Sequence, residues 1–473
     1  MTTGHDDQHP PPASDFRAAT AERTAELGEL CAELSWHRAP GEVRERLPLV
    51  LLDTLAVALA GSRTEGQRRL RAAWPQPPGD APVFGGDTLT GTDTAAYLNA
   101  TALVCSELDE GGKYARGHPA AHAFPAILAL AAERRCTGEL TARALLSGYE
   151  VAARFGCATA LRPGAHPHGS WGVTGAAAGC AVLLGLPADR IAAAIDTAAG
   201  LPIAGHFDSA LDGHRVRDAW MGAAALSGLA AARLAAAGVV ANTGTAALSL
   251  GTLLGTFDPD TLAHPPGGDW QITHNYFKQH ASCAYTHPAA DLACALRREH
   301  PEARDGGHIS RLVVETHALA APLDRTRWHN GLGAMFSVPY AVAAALLYGR
   351  ITPETADATA ATHPALFALA RRVTVREDAR MTARLPHERP ARLTVHLDDG
   401  RRLEASAPHP LGDSDHHPFT ARTLPPVLAE LLGDRALVDR LHRLAEQLPE
   451  AADVGPALRA LASAHPTAPG GPA

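Results

Sequence analysis

The chain has 473 residues, a net charge of −8, and a hydrophobic share of 46% in which alanine dominates and aromatics reach only 5%. That length exceeds one ordinary core and calls for two domains, and the small-residue composition favours many closely packed helices over a bulky β core. The acidic balance and the lack of a basic tract exclude an electrostatic footprint for nucleic acid and a polybasic arm for an anionic membrane.

Met1 to Phe16 carries neither a positive leading region nor an apolar stretch. Residues 1–17 are therefore predicted to be a disordered tail and not a secretory signal, and the chain is expected to be cytoplasmic. From Ala18 to Gly61 the apolar spacing predicts two helices with Gly61 as a stop, followed by a Pro/Gly-rich loop from Pro75 to Gly86. Further helices are predicted at Thr94 to Glu107, Pro119 to Glu133, Thr141 to Thr159, Gly172 to Leu184, Ala188 to Ala199, Asp218 to Ala237 and Asn242 to Leu250. Two of them, GVTGAAAGCAVLLGL and GAAALSGLAAARLAAAG, are so rich in Gly and Ala that their backbones can approach partners closely in the interior. Gly, Arg or Asp interrupts every apolar run well short of eighteen residues, so no membrane span is expected.

After His264 the PPGGD stretch marks a linker and the texture changes. ISRLVVETHA, RRVTVRED and ARLTVHLDDGRRLEASA show β-branched alternation, the last with Asp399-Gly400 as a hairpin turn. From Pro425 to Leu461 the pattern returns to amphipathic helix that would pack back on the first domain, and Pro466 to Ala473 reads as a second disordered tail. The predicted fold class is mostly α with a smaller α+β domain. Residues 18–268 plus 409–465 form the large helical domain, and 269–408 form an inserted α+β lid.

The seven cysteines stand singly without a Cys-x-x-Cys pair, and most are expected to fill core space. Of the 42 basic residues only Lys113 and Lys278 are lysine. In a chain that writes arginine almost everywhere, a retained lysine points to a need for a compact ammonium.

Four stretches could carry chemistry. In ELDEGGKYARGHP, Asp109, Glu110, Lys113, Tyr114, Arg116 and His118 crowd a glycine-containing loop between apolar helices. Pro119 suits a first helical turn, which would set His118 beside unpaired backbone N–H groups, where a neutral imidazole can take or return a proton while Asp109 orients it. In RPGAHPHGSWG, His166 and His168 precede a small-residue helix, and His166 could partner His118 as acid and base; the alternative is a pair of surface-loop histidines. In HRVRDAW, Arg217 could fork a carboxylate, or could simply pair with Asp212 or Asp218. In NYFKQHASCAYTHP, Lys278 could hold a carboxylate or its enolate-like form, with Cys283 and His287 close by in sequence. No Gly-x-Gly-x-x-Gly at the head of a βαβ unit, no P-loop and no His-Glu-x-x-His is present, so no nucleotide cofactor and no metal are expected.

Together with LLDTLAVALAG, MFSVPYAVAAALLYG and PLGDSDHHP, these stretches resemble, in order and from about Leu27 to Leu461, the MmgE/PrpD family. The resemblance implies a homodimer with a cofactor-free site between domains. It also implies a lyase or isomerase that abstracts a proton beside a carboxylate of a small polycarboxylic acid, by dehydration, decarboxylation or epimerisation. Carried over by position, Asp109, His118, His166, Lys278, Arg217 and Cys283 fall at the family's active-site places, with Lys113 in the same loop. Two departures stand out: DEGGK from Asp109 where the family commonly has Asp-Phe-Asn/Asp-Asp-Thr, and Arg217 where it commonly has Lys. A carboxylate binder without catalysis, or a metallohydrolase, are the rival readings.

Overall fold

Glycines in the apolar helices mark where backbones touch. The computed structural model describes residues 13–263, 268–304, 306–357 and 362–465. The first part of the chain forms α1 (Ala13–Glu33), α2 (Gly41–Ser62), α3 (Glu65–Ala73), α4 (Thr92–Val104), α5 (Pro119–Arg134), α6 (Gly138–Ala158), α7 (Val173–Leu183), α8 (Ala188–Ala199) and α9 (Val216–Ala236). Every residue of α7 is buried, and it packs against α5, α6, α8 and α9. A Cβ on Gly175 would lie 2.3 Å from the Gly148 carbonyl oxygen of α6, so any side chain there would push the two helices apart. Gly228 of α9 faces α7 in the same way. The close approach expected of the two Gly/Ala-rich segments is what the bundle uses. Although α9 is long and apolar enough to cross a bilayer, 56% of its apolar window is buried against its neighbours.

The second part supplies α10 (His287–Glu299), α11 (Val338–Tyr348) and a four-stranded sheet of β1 (Ile309–Thr316), β2 (Val373–Glu377), β3 (Ala391–Leu397) and β4 (Arg402–Ala407). The strand order is β4-β3-β1-β2, with β1 and β2 parallel and the other pairs antiparallel. Gly400, at φ 88°, makes the hairpin turn between β3 and β4. Helix α10 packs on β3, β4 and α11. The chain ends in α12 (Leu424–Leu432) and α13 (Arg435–Gln447), both packed on α2, as the amphipathic pattern predicts. The architecture is mostly α with a small strand-bearing part.

Three local expectations are corrected. Helix α1 begins at Ala13, inside the predicted tail, because Phe16 packs on the core and Arg17 donates to the Thr243 carbonyl. Residues 1–12 and 466–473, the rest of the two predicted tails, lie outside the described residues. The helix predicted from Asn242 covers Thr245–Leu248 and continues as a π turn over Ser249–Leu254, and the Pro75–Gly86 loop holds a short strand, Ala81–Val83, paired with Thr88–Thr90.

Candidate active site

The loop between α4 and α5 is bent by two non-glycine residues in the left-handed region, Glu107 at φ 53° and Arg116 at φ 56°. Each such residue costs about 1–3 kcal/mol and persists only where the surroundings enforce it. Both line a cavity of about 560 Å³. Between them, Gly111–Gly112 pairs antiparallel with Asn275–Tyr276, and a Cβ on Gly111 would fall 2.3 Å from the Tyr276 hydroxyl. The two glycines of DEGGK therefore let the 275–278 segment close on the loop, and that brings Lys278 to Asp109.

His118 is the N-cap of α5, but the first-turn N–H groups do not face its ring. The Ala120 N–H donates to Glu110 Oε1 at 2.8 Å, which corrects the expectation of free donors there. The His118 Nδ1 lies 2.7 Å from the Glu110 carbonyl oxygen, and since a carbonyl only accepts, Nδ1 carries the proton. Asp109 Oδ2 stands 3.0 Å from the same nitrogen but off the hydrogen-bond direction, so it acts on the ring by charge. Burial would raise the Asp109 carboxyl, but the His118 ring and the Lys278 ammonium beside it outweigh burial and hold it below its usual range. Nε2 of His118 has no hydrogen-bond partner among the described residues, and the residue lines the cavity.

Two more histidines complete that wall. His166 Nδ1 accepts from the His168 N–H at 3.0 Å, which leaves its proton on Nε2. His168 Nε2 lies 3.3 Å from Arg217 Nη2 and must accept, so its Nδ1–H is a buried donor without a protein partner. Burial holds the His166 imidazole down to about 3 and that of His168 well below its usual value, so both are neutral donors at pH 7. The ring of His168 stands between those of His166 and His118, at 4.5 and 5.1 Å. The acid/base pair expected of His118 and His166 is thus spaced by a third imidazole.

The predicted cations are placed differently from the sequence expectation. Arg217 is fully buried and bonded to Glu107, to Asp218 at 2.9 Å and to the Val104 carbonyl. Lys278 donates to the Glu107 carbonyl at 3.0 Å and lies 3.3 Å from its carboxylate and 3.8 Å from Asp109. Their charges are met by protein carboxylates. Lys113, also buried, pairs with Asp413 at 3.0 Å and Asp415 at 2.7 Å, and Tyr114 donates to Asp415 at 2.9 Å. Lys113 and Tyr114, singled out in the charged loop, do not line the cavity, nor does His287, whose Nε2 faces the Ser282 carbonyl. Cys283 does line it, as a thiol pushed up by burial. His118, His166, His168, Arg217 and Cys283 therefore meet around one cavity, with Asp109 and Lys278 directly behind.

Several residues of the site escaped sequence reading. His122 props the histidine wall: its Nδ1 donates to the His118 carbonyl and its Nε2 accepts from the Gly169 N–H. On the opposite wall stand Tyr276, Tyr285 and Arg389, the guanidinium 5.0 and 5.5 Å from the two ring centres. Glu107 opened a stretch noted for its charge, but its left-handed backbone shows only in the folded chain and glutamate carries no local signal for it. Arg389, in HERPARL, has no local signal.

Ligand-type atoms of Asp109, His118 and His168 lie within 4.8 Å of one another. Lys278 stands 3.8 Å from that Asp109 and Arg217 Nη2 3.3 Å from that His168, so a cation there would share its ligands with two fixed positive charges. The donor set suits proton transfer better than metal binding.

The MmgE/PrpD N-terminal domain model matches residues 25–263, and the C-terminal domain model matches 280–425. The chain belongs to the MmgE/PrpD family. Its relatives include the cis-aconitate decarboxylase-like protein oryM of Aspergillus oryzae, 28% identical over 425 residues, covering 82% of this chain and 86% of that protein. They also include the cis-aconitate decarboxylase of Aspergillus terreus, 25% identical over 470 residues, covering 93% and 95%. Within this MmgE/PrpD protein the N-terminal match carries the histidine wall, and the C-terminal match carries Cys283, Tyr285 and Arg389.

Proposed function

We propose that this MmgE/PrpD protein is a lyase-type enzyme that breaks a bond next to a carboxylate of a small organic acid, with His118 moving the proton. Family membership and the decarboxylases among its relatives support the reaction class. The observation that carries the role of His118 is its locked tautomer: Nδ1–H is held by the Glu110 carbonyl and the Asp109 charge, and Nε2 is left as the free base on a cavity wall. When Nε2 takes a proton from carbon, Asp109 at 3.0 Å stabilises the imidazolium. His166, a cavity-lining neutral imidazole with its proton on Nε2, then serves as the donor to developing negative charge, with His168 packed beside it.

Two outcomes fit this arrangement. In a dehydration, His118 removes a proton from the carbon α to a carboxylate, and the β-hydroxyl departs as water after accepting a proton from a neutral donor. In a decarboxylation, the C–C bond breaks to release carbon dioxide, and the carbanion left behind takes a proton from His118, which enters this branch already protonated at Nε2 by solvent, is stabilised by Asp109, and leaves it as the free base. The test is solvent deuterium incorporation and carbon dioxide release over a panel of small di- and tricarboxylic acids. Turnover of one acid that falls by about 10²–10⁴ in His118→Ala, with an unchanged far-UV spectrum, is the expected result. A His118→Ala enzyme as fast as the parent would remove His118 from the mechanism.

A further inference from the structure

Charge pairing around the cavity sets how many carboxylates it can accept. On the histidine side three carboxylates, Glu107, Asp109 and Asp218, face three cations, Arg215, Arg217 and Lys278. That cluster sums to zero, and Glu107, itself lining the cavity, fills the space between Arg217 and Lys278 that an incoming carboxylate would need. Two cavity-lining cations remain: Arg389 and Arg116. Among the described residues no carboxylate lies within 4 Å of either; Arg389 donates to the Lys113 carbonyl and is also engaged by the Tyr276 hydroxyl, and Arg116 donates to the Thr159 carbonyl. The charge of Asp413 reaches Arg389, but that carboxylate is engaged by Lys113 at 3.0 Å. The one other acid on the lining, Asp208, is 62% exposed and stands by His206.

Burial makes the two free arginines unequal. Arg389 is buried between the rings of Tyr276 and Tyr285, where its fork is fixed and its desolvation is already met by the fold. Arg116 is exposed. The guanidinium of Arg389, held between two rings, forms a preorganised bidentate seat for one carboxylate, and the exposed one suits a second.

Resting on the reading of this site as acid-using, we infer that the cavity selects dicarboxylates over tricarboxylates, with Arg389 as the primary carboxylate seat, Arg116 as the second, and Glu107 as the group that rejects a third carboxylate. Glu107 does so because a third carboxylate would approach a buried anion whose cations are already committed.

The matched pair glutarate and tricarballylate shares one carbon skeleton and differs by a single carboxylate, so calorimetric titration of the full chain with both isolates the third charge. Glutarate is expected to bind at least about tenfold more tightly. Arg389→Gln should weaken glutarate about 10- to 100-fold, the loss of a charge-assisted pair, with partial recovery in Arg389→Lys. Arg116→Gln, at an exposed side chain, should weaken it about 3- to 10-fold with an unchanged far-UV spectrum. Glu107→Gln should raise the tricarballylate affinity relative to glutarate. Tighter binding of tricarballylate by the parent, an Arg389→Gln or Arg116→Gln protein with unaltered glutarate affinity, or binding of neither acid would overturn the inference. Deuterium exchange separates this failure from that of the enzyme reading: His118-dependent turnover of a tricarboxylate in preference to dicarboxylates would sink the charge rule alone, whereas glutarate bound as expected with no turnover of any acid would sink the enzyme reading alone.

Discussion

Glu110 offers the sharpest test of the buried architecture behind the site. Its carboxyl is fully enclosed, with Oε1 accepting from the Ala120 N–H at 2.8 Å and Oε2 from the Tyr149 hydroxyl at 3.1 Å. Burial pushes it from 4.5 up to about 7, so the folded chain keeps this proton over a range where the unfolded chain has lost it. The associated stability is therefore fully present below about pH 4.5 and declines as pH rises toward 7. The gap of about 2.5 pH units, at about 1.36 kcal/mol each, amounts to about 3 kcal/mol. Glu110→Gln removes the ionisation and can keep both contacts, its amide oxygen accepting from Ala120 and its NH₂ donating to the Tyr149 oxygen. The parent should lose melting temperature between pH 5 and 7, and the variant should lose less. At pH 8 the variant should be at least as stable, by up to about 3 kcal/mol. Differential scanning calorimetry of both proteins across that range measures it. A variant less stable than the parent at pH 8, or parallel pH profiles, would refute the assignment of a proton to Glu110 in the fold.

Lys278→Met leaves Glu107 and Asp109 buried with less compensation, and should lower stability by about 3–5 kcal/mol in thermal melts. Asp415 is held well below its usual value: burial alone would raise it, but Lys113, Tyr114 and His274 hold it ionised. Its stabilisation is present above the ordinary carboxylate range and is lost as pH falls through and below that range, so Asp415→Asn should flatten the acid limb of the melting curve below pH 4. Gly175→Ala sets a methyl 2.3 Å from the Gly148 oxygen and should destabilise by about 1–3 kcal/mol or more. Gly66→Ala, in open space on α3, should stabilise by up to about 1 kcal/mol, and equal melting shifts for the two variants would contradict the close crossing of α6 and α7.

The helices and strands were legible because their signals are local. Apolar spacing, Pro119 at a first turn and the Asp399-Gly400 turn act within a few residues, and α5, α8, β1 and the β3–β4 hairpin follow them closely. The tail was misread because the partners of Phe16 and Arg17 lie more than two hundred positions away, at Gly251 and Thr243. The site was legible in part. His118 and Asp109 stand in one loop, and the scarcity of lysine singled out Lys113 and Lys278, each of which is buried against two carboxylates. The Arg217 reading left substrate clamp and local ion pair open, and the folded chain pairs it with the adjacent Asp218 and with Glu107, 110 residues away.

The amino-acid order alone set the helical spacing, the strand texture, the loop rich in ionisable groups and the family. It could not say which charges cancel. Whether an arginine faces a protein carboxylate or open cavity depends on groups 110 to 300 residues apart, such as Arg217 with Glu107 or Lys113 with Asp413. Electrostatic pairing falls off over a few ångströms of space and is blind to distance along the chain. Only the folded path therefore decided that Arg217 and Lys278 are committed and that Arg389, unmarked in the sequence, is free.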